Sequence, residues 1–241
     1  MARSPRPATT PSTRKTVAPY HHGNLREALL EAGLALLTEH GPEALGLREL
    51  ARHAGVSRTA PYRHFDSKES LIAAIACQGF GELRSYLEEA RRREGDDLER
   101  WFLEAARQYL RFAFTHSAHY KVMFGDKFRY TPTVHADLHA AGEGAFGSLV
   151  NLVVAGQAGG LIRAGNPVAV SVSAWSQLHG YAVLVVHNRL DFLGLDQKSV
   201  DALTEQIAHD SLAVIRMPAS TASRETTRRT GAARNSRASR A

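Results

Sequence analysis

The residues with the clearest potential for chemistry lie in one short stretch near the N-terminus, residues 57–68. Arginine can donate two parallel hydrogen bonds to the O6 and N7 atoms of guanine, and threonine can pack its methyl group on thymine or bond a base. Arg58 and Thr59 bring these two types together at the start of a predicted short helix. A solvated helix start would carry the same residues, so the pair predicts base contacts only in a suitable structural setting.

Neighbouring side chains suit the phosphates of a nucleic-acid backbone. Tyr62 offers a hydroxyl to phosphate, although its ring can instead pack on a neighbouring helix. Lys68 opens the next predicted helix, where the dipole and free backbone N–H groups favour an anion. Such contacts fix the register of a protein on DNA and carry no sequence information. The predicted DNA-contacting residues are Arg48, Ser57, Arg58, Thr59, Ala60, Tyr62, Arg63, His64 and Lys68.

Two short helices are predicted to position these residues. The first runs from Leu47 to His53 and the second from Arg58 to His64. Gly55 can adopt a positive φ and end the first helix, and Ser57 is a favourable N-cap for the second. This pattern is typical of a helix-turn-helix, whose second helix enters the DNA major groove.

The remaining apolar pattern predicts further helices and no sheet. A helix capped by Asn24 should precede the pair, and a capping box from Asp66 to Glu69 should open a long helix that ends before Gly95. Valine and isoleucine runs at 168–172 and 183–186 lack the period of two expected of strands. We therefore predict an all-α fold with an N-terminal three-helix helix-turn-helix DNA-binding domain and a C-terminal helical ligand-binding and dimerisation domain. The predicted divisions are a disordered basic tail at 1–19, the two domains at 20–66 and 67–217, and a second such tail at 218–241.

Charge and composition limit the function classes. The formal net charge of +6 over 241 residues is concentrated at the two ends of the chain, and the central part is slightly acidic. Bulk charge is therefore no evidence for nucleic-acid binding. The single cysteine, Cys77, fits a reducing compartment, and the N-terminus has no apolar signal segment, so we expect a cytoplasmic protein. The uncharged stretches 144–162 and 164–188 contain polar residues that would be costly in a bilayer, so buried helices are expected there.

Two longer patterns resemble a known family. The run over about residues 24–76, which includes AGVSRTAPYRHFDSKESL, resembles the tetracycline-repressor-like (TetR) regulators. WSQLHG at 175–180 is similar to the Trp-His-Gly signature of one class of C-terminal domains in that family, and HYKVMF at 119–124 is similar to an aromatic segment of the same class. Gly46 departs from the family, which often has serine or threonine there to cap the helix and touch a phosphate.

The resemblance implies a ligand-responsive transcriptional regulator without enzyme activity. It implies a homodimer that binds a palindromic operator on double-stranded DNA, pairs through its last two long helices and usually represses. A small-molecule effector in the C-terminal domain would release the operator. Aromatic residues in the helices expected around a pocket are the candidates for binding it, although the same pattern is typical of a plain core; they are Trp101, Tyr109, Phe112, Phe124, Trp175 and His179.

Two other classes of protein share features with this sequence. His135 and His139 are spaced as zinc ligands on one helix face, but Asp137 between them points elsewhere, and no third ligand with a general base is evident. The chain has no G-x-S-x-G motif, no P-loop and no G-x-G-x-x-G, so neither a metal nor a cofactor is predicted. The other alternative is an interaction module that has kept the fold and lost DNA binding. The intact set of Arg58, Thr59, Tyr62 and Lys68 argues against it.

Overall fold

The computed structural model describes residues 25–218 except 42, 44 and 126–135. The predicted tail at 1–19, the Asn24 cap, His135 and all of the second predicted tail except Pro218 lie outside this described part. Within it the chain forms no β-strand, and an isolated antiparallel bridge joins Ile162 to Arg216. The all-α prediction is confirmed. The helices are α1 (Leu25–His40), α2 (Leu47–His53), α3 (Lys68–Glu94), α4 (Leu98–Thr115), α5 (Ser117–Met123), α6 (Ala136–Ala158), α7 (Pro167–Val186) and α8 (Gln197–Ile215).

The N-terminal helices pack as the apolar pattern predicts. Leu29, Leu36 and Leu50 are fully buried where α1 and α2 meet, and Phe65 closes the corner between α2 and α3. The end of α2 is a Schellman motif. Gly55 has φ +67°, and the Val56 and Gly55 N–H groups donate to the carbonyls of Ala51 and Arg52.

The predicted second helix of the motif is wrong in its extent. In place of an α-helix from Arg58 to His64, the chain forms a turn followed by a single 3₁₀ turn, Pro61–Arg63. Pro61 has no N–H to donate to the Ser57 carbonyl, so the α-helical ladder cannot start there. Instead the Ala60 N–H donates to the Ser57 carbonyl, three residues back, at 3.0 Å.

Two capping details also differ from the prediction. The Ser57 hydroxyl lies 3.3 Å from that of Thr59 and caps no helix. The capping box of α3 is formed by Ser67 and Ser70, each side chain bonding the backbone N–H of the other at 3.1 Å, one residue later than the predicted box. The helix itself ends as expected at Gly95, which has φ +57°.

The long helix α3 connects the two ends of the molecule. Its N-terminal residues pack with α1, and the rest packs against α4, α5 and α6. At about 1.5 Å per residue its 27 residues extend for about 40 Å. A second core cluster around Trp101, Phe102 and Ile215 closes the far end, where the Arg163 N–H donates to the Ile215 carbonyl at 2.9 Å.

Helices α6 and α7 are apolar but only partly buried. Both are long and apolar enough to cross a membrane, and 22% of the most apolar 18-residue stretch of α6 and 33% of that of α7 are buried inside the protein. The prediction that these stretches are buried helices is therefore right for one face of each. Val168, Val172 and Leu184 of α7 remain exposed, and α6 leaves an open cavity along its inner side.

Candidate functional site

The residues predicted to contact bases lie together on one exposed segment, residues 57–64, which we name the recognition segment. Pro61 is buried within it and Phe65 directly after it, so the segment is fixed to α1–α3 by two apolar contacts. The other side chains of the segment point outward: Ser57, Arg58, Thr59, Tyr62, Arg63 and His64 are exposed and Ala60 is half-buried. The segment therefore exposes these predicted side chains to solvent, although only Pro61–Arg63 is helical.

The arginines on and beside the recognition segment carry positive charge that no described acidic residue neutralises. Arg48, Arg58 and Arg63 are exposed, and none of them forms an ion pair with another described residue. The nearby Glu49 is occupied by Arg52, whose hydrogen bond lowers the pKa of that carboxyl. An arginine without an acidic partner keeps its donors for an external acceptor such as a phosphate or a guanine edge.

Lys68 and Arg48 lie at the first turns of two helices that flank the recognition segment. Lys68 is the first residue of α3, directly after the Ser67 cap, and Arg48 is the second residue of α2. Both N-termini direct backbone N–H groups and a positive dipole end outward. Gly46 caps α2 with no side-chain hydrogen bond, which agrees with the departure noted in the sequence.

A cavity of about 980 Å³ lies between α3, α4, α6 and α7, at the other end of α3 from the recognition segment. Its α3 wall is a stripe at helical spacing that runs from Phe80 to Arg91, and its α4 wall runs from Trp101 to Tyr109. Helix α6 contributes Phe146 and Leu149. This volume is at the upper end of the range for drug-sized ligands, about 300–1,000 Å³.

One end of the cavity is an aromatic cluster tied by hydrogen bonds. The Phe124 ring lies 5.6 Å from that of Phe80 and 6.0 Å from that of Trp175. The Trp175 Nε1–H donates to the Tyr109 hydroxyl at 3.0 Å. That hydroxyl lies 2.9 Å from the hydroxyl of Tyr120 and 3.0 Å from His179 Nδ1, and Tyr120 is 2.7 Å from the same nitrogen. We name Tyr109, Tyr120, Trp175 and His179 the polar cluster.

Burial keeps the polar cluster neutral. It raises the pKa of Tyr109 to about 12 and raises the pKa of Tyr120 well above its ordinary value. It lowers the pKa of His179. In a neutral imidazole an unprotonated Nδ1 accepts one hydrogen bond from a tyrosine hydroxyl, and a protonated Nδ1 donates one instead.

The structure brings most of the predicted ligand residues to the cavity. Trp101, Tyr109, Phe124 and Trp175 line it. His179 is not among the lining residues and contacts the cavity through Tyr109, and Phe112 is fully buried elsewhere, stacked on His116 at 5.1 Å. The sequence analysis missed Phe80, Phe146 and Arg91 as lining residues. In the sequence, the spacing of the apolar residues between Phe80 and Arg91 indicates only that one face of the helix is covered. It does not show whether that face packs against other helices or lines a cavity.

The described residues contain no cluster of three potential metal ligands. His139 lies 3.2 Å from Glu143, one turn along α6. His119 is buried on α5. The other member of the predicted zinc pair, His135, lies outside the described part of the chain.

Comparisons with known families and proteins agree with this architecture. Residues 29–75 match the family described as bacterial regulatory proteins, tetR family, and residues 102–210 match the tetracyclin repressor-like C-terminal domain. A solved structure of a protein of unknown function from Rhodococcus sp. RHA1 superposes with a TM-score of 0.67 at 32% identity, covering 80% of this chain and 98% of that one.

Two curated relatives are bacterial transcription regulators. The HTH-type transcriptional activator FasR of Mycolicibacterium smegmatis is 29% identical over 128 residues, which is 53% of this chain and 58% of FasR. The HTH-type transcriptional repressor Rv3405c of Mycobacterium tuberculosis is 31% identical over 67 residues, 28% of this chain and 36% of the relative. The matched part thus spans less than two thirds of either relative.

Proposed function

This chain belongs to the TetR family of helix-turn-helix transcriptional regulators, which are not enzymes, and we propose that it is a ligand-responsive repressor. In this proposal a homodimer binds a palindromic operator through the recognition segment of each copy. A small molecule that occupies the cavity releases the operator. The protein works in the cytoplasm, on double-stranded DNA and without a membrane.

The observation that carries the proposal is the exposed recognition segment. Six of its polar and aromatic side chains face outward, and its two arginines have no ion-pair partner in the described chain. Arg58 and Thr59 contact base edges, and Tyr62, Arg63 and His64, together with Arg48 and Lys68, bind phosphates. Two such segments related by a twofold axis enter successive major grooves about 34–36 Å apart.

The homodimer is supported by the outer faces of α7 and α8. Val168 and Leu184 on α7 and Val214 on α8 are large apolar side chains with more than two fifths of their surface exposed. An exposed apolar face of this kind is typical of an interface. The two helices pack against each other, so their outer faces can meet the same faces of a second copy as a four-helix arrangement around a twofold axis.

Helix α3 is the element that both sites share. Its first residue is Lys68, beside the recognition segment, and its stripe from Phe80 to Arg91 is a cavity wall. A ligand that favours one tilt of α3 changes the spacing of the two recognition segments. It can shift that equilibrium only by its difference in affinity for the two states.

Two finer features belong to the same proposal. We propose that the C-terminal domain is of the Trp-His-Gly class, because Trp175, His179 and Gly180 resemble that signature. In this proposal the tryptophan and the histidine hold the cavity end through the polar cluster. The arginine-rich tails add affinity that depends on salt and is independent of sequence. Repression is proposed because most proteins of this kind repress; of the curated relatives, FasR is named an activator and Rv3405c a repressor.

The direct test is selection of bound duplexes from a random DNA pool by the purified full-length chain. We expect a palindrome whose half-sites are centred about one helical turn apart, or a multiple of it. Recovery of no consensus would refute sequence-specific binding. A reporter gene placed under the recovered site then distinguishes repression from activation. Deleting the gene of a repressor raises reporter expression, whereas deleting the gene of an activator lowers it.

A further inference from the structure

The cavity is long, and its two ends differ in chemistry. From Phe80 to Arg91 the α3 wall advances eleven residues, about 16 Å at about 1.5 Å per residue. Helix α4 runs antiparallel alongside, so Tyr109 lies near the Phe80 end and Trp101 near the Arg91 end. The Phe80 end is the aromatic cluster with Phe124 and Trp175, and the Arg91 end is an exposed mouth.

At the aromatic end the polar groups are already occupied. The Trp175 N–H and the hydroxyls of Tyr109 and Tyr120 bond one another and His179. A polar group of a ligand placed there would have to break one of these bonds or stay unsatisfied, which is costly in a buried site. This end therefore selects an apolar group.

At the mouth one charge is left without a partner. Five arginine, glutamate and histidine side chains line the cavity, and four of them form two pairs: Arg84 with Glu88 at 2.7 Å and His139 with Glu143 at 3.2 Å. The fifth, Arg91, forms no ion pair with a described acidic residue. Its guanidinium carbon lies 4.3 Å from the centre of the Trp101 ring, and Trp101 is buried and lines the cavity.

The neighbouring arginines show that this is particular to Arg91. Arg92 and Arg93, which follow it on α3, both pair with Glu89. Stacking on Trp101 fixes the Arg91 guanidinium at the cavity edge while leaving its N–H groups free to bond a planar anion. A carboxylate or a phosphate ester shares the required chemistry.

We propose that the effector is a linear amphipathic anion, with an apolar body in the aromatic end of the cavity and its anionic group on Arg91. This inference rests on the proposed function, because it assumes that the cavity is the effector site. It goes further in naming the chemical class of the ligand and the residue that selects its charge.

The chain contains its own reporters for the test. Its two tryptophans, Trp101 and Trp175, line opposite ends of the cavity, so their fluorescence reports occupancy directly. The full-length protein is titrated with dodecanoate, dodecyl phosphate, 1-dodecanol and dodecyltrimethylammonium, all below the concentrations at which they form micelles. The four probes share one apolar body and differ in the charge of the head group.

We expect both anions to bind about tenfold more tightly than the alcohol, since a charged hydrogen bond contributes on that scale, and the ammonium to bind least. Arg91→Gln should remove the preference for anions, Arg91→Lys should keep part of it, and the matched control Arg92→Gln should keep all of it. Raised salt should reduce the preference because the mouth is exposed.

The two levels of the proposal fail differently. If the alcohol binds as tightly as the anions, or if Arg91→Gln keeps the preference for anions, the assignment of an anionic effector is wrong and the cavity remains a binding site. If none of the four probes changes the fluorescence of either tryptophan, the assignment of a linear amphipathic effector is wrong. The effector part of the proposed function fails separately, if no compound that binds the cavity releases the selected operator.

Discussion

Replacing Tyr109 by phenylalanine tests the polar cluster that closes the aromatic end of the cavity. The substitution removes only the hydroxyl, which accepts from Trp175 Nε1–H at 3.0 Å and contacts Tyr120 and His179. Tyr120 and His179 remain bonded to each other at 2.7 Å, so the variant leaves one orphaned donor, the indole N–H. We therefore expect Tyr109→Phe to destabilise the folded protein.

The expected loss of folding free energy follows from that one indole N–H without an acceptor. Leaving a donor in the interior without an acceptor costs about 1–3 kcal/mol, and the half-buried Trp175 is expected near the lower end of that range. For a chain of this length each kcal/mol lowers the melting temperature by about 2–4 °C. Tyr181→Phe is the matched control: Tyr181 is also buried and donates to the Val200 carbonyl at 3.2 Å. That carbonyl still accepts from Thr204 at 2.8 Å in the variant, so the cost should be smaller, under about 1 kcal/mol.

The assay is urea unfolding followed by far-ultraviolet circular dichroism at one fixed protein concentration, because the stability of a dimer depends on concentration. The tryptophan emission of the folded variants is recorded in parallel, since Trp175 loses its acceptor only in Tyr109→Phe. Equal free energies of unfolding for Tyr109→Phe and Tyr181→Phe would refute the reasoning. The hydroxyl of Tyr109 would then have no special role in holding the cavity end.

Three further predictions concern the cap of α2, the half-buried His179 and the dimer. Gly46→Ser should raise the free energy of unfolding by about 0.5 kcal/mol by capping α2, where a Cβ meets nothing within 4 Å, and should strengthen DNA binding, whereas Gly46→Ala should do neither. Because burial lowers the pKa of His179, the unfolded chain binds more protons than the folded protein below about pH 6.5. The free energy of unfolding should therefore fall as the pH is lowered from about 7.5 to 5.5. His179→Asn should flatten this pH dependence in urea titrations, and an unchanged dependence would exclude His179 as its source. Leu184→Glu should give a monomer by light scattering at micromolar concentration while Val154→Glu, equally exposed on α6, leaves the dimer intact; a dimeric Leu184→Glu would place the interface elsewhere.

The sequence predicted the helices well because their signals are local. The stripe of Leu71, Ile75 and Leu83 with Gly95 after it specifies the long helix α3, and Asn166 before Pro167 specifies the start of α7. Boundaries failed where two local signals compete. Asp66 and Glu69 form one possible capping box and Ser67 and Ser70 form another, and the sequence alone does not decide between two overlapping patterns.

The recognition segment and the cavity show two other limits. Pro61 lies in the first turn of the predicted second helix, where proline is normally tolerated. In so short a segment its missing N–H leaves mainly 3₁₀-type bonds, and the only α-type bond here runs from the Phe65 N–H to the Pro61 carbonyl at 2.9 Å. The cavity could not be predicted because an apolar stripe looks the same whether it faces protein or a ligand. The polar cluster joins residues 59 to 70 positions apart along the chain, and only the packing of α4, α5 and α7 brings them together.

The central claim is that Arg58 reads bases while Lys68 holds the backbone, and the most direct measurement is the affinity ratio between the selected operator and a scrambled duplex of equal length. We expect Arg58→Ala to lose about 1–3 kcal/mol of that preference. Lys68→Ala should weaken the binding of both duplexes alike. It should also reduce the slope of the logarithm of the binding constant against the logarithm of the salt concentration by about one. Arg52→Ala, which removes an arginine already paired with Glu49, serves as the control. If Arg58→Ala keeps the wild-type ratio, the recognition segment does not read the sequence, and the proposed function is contradicted.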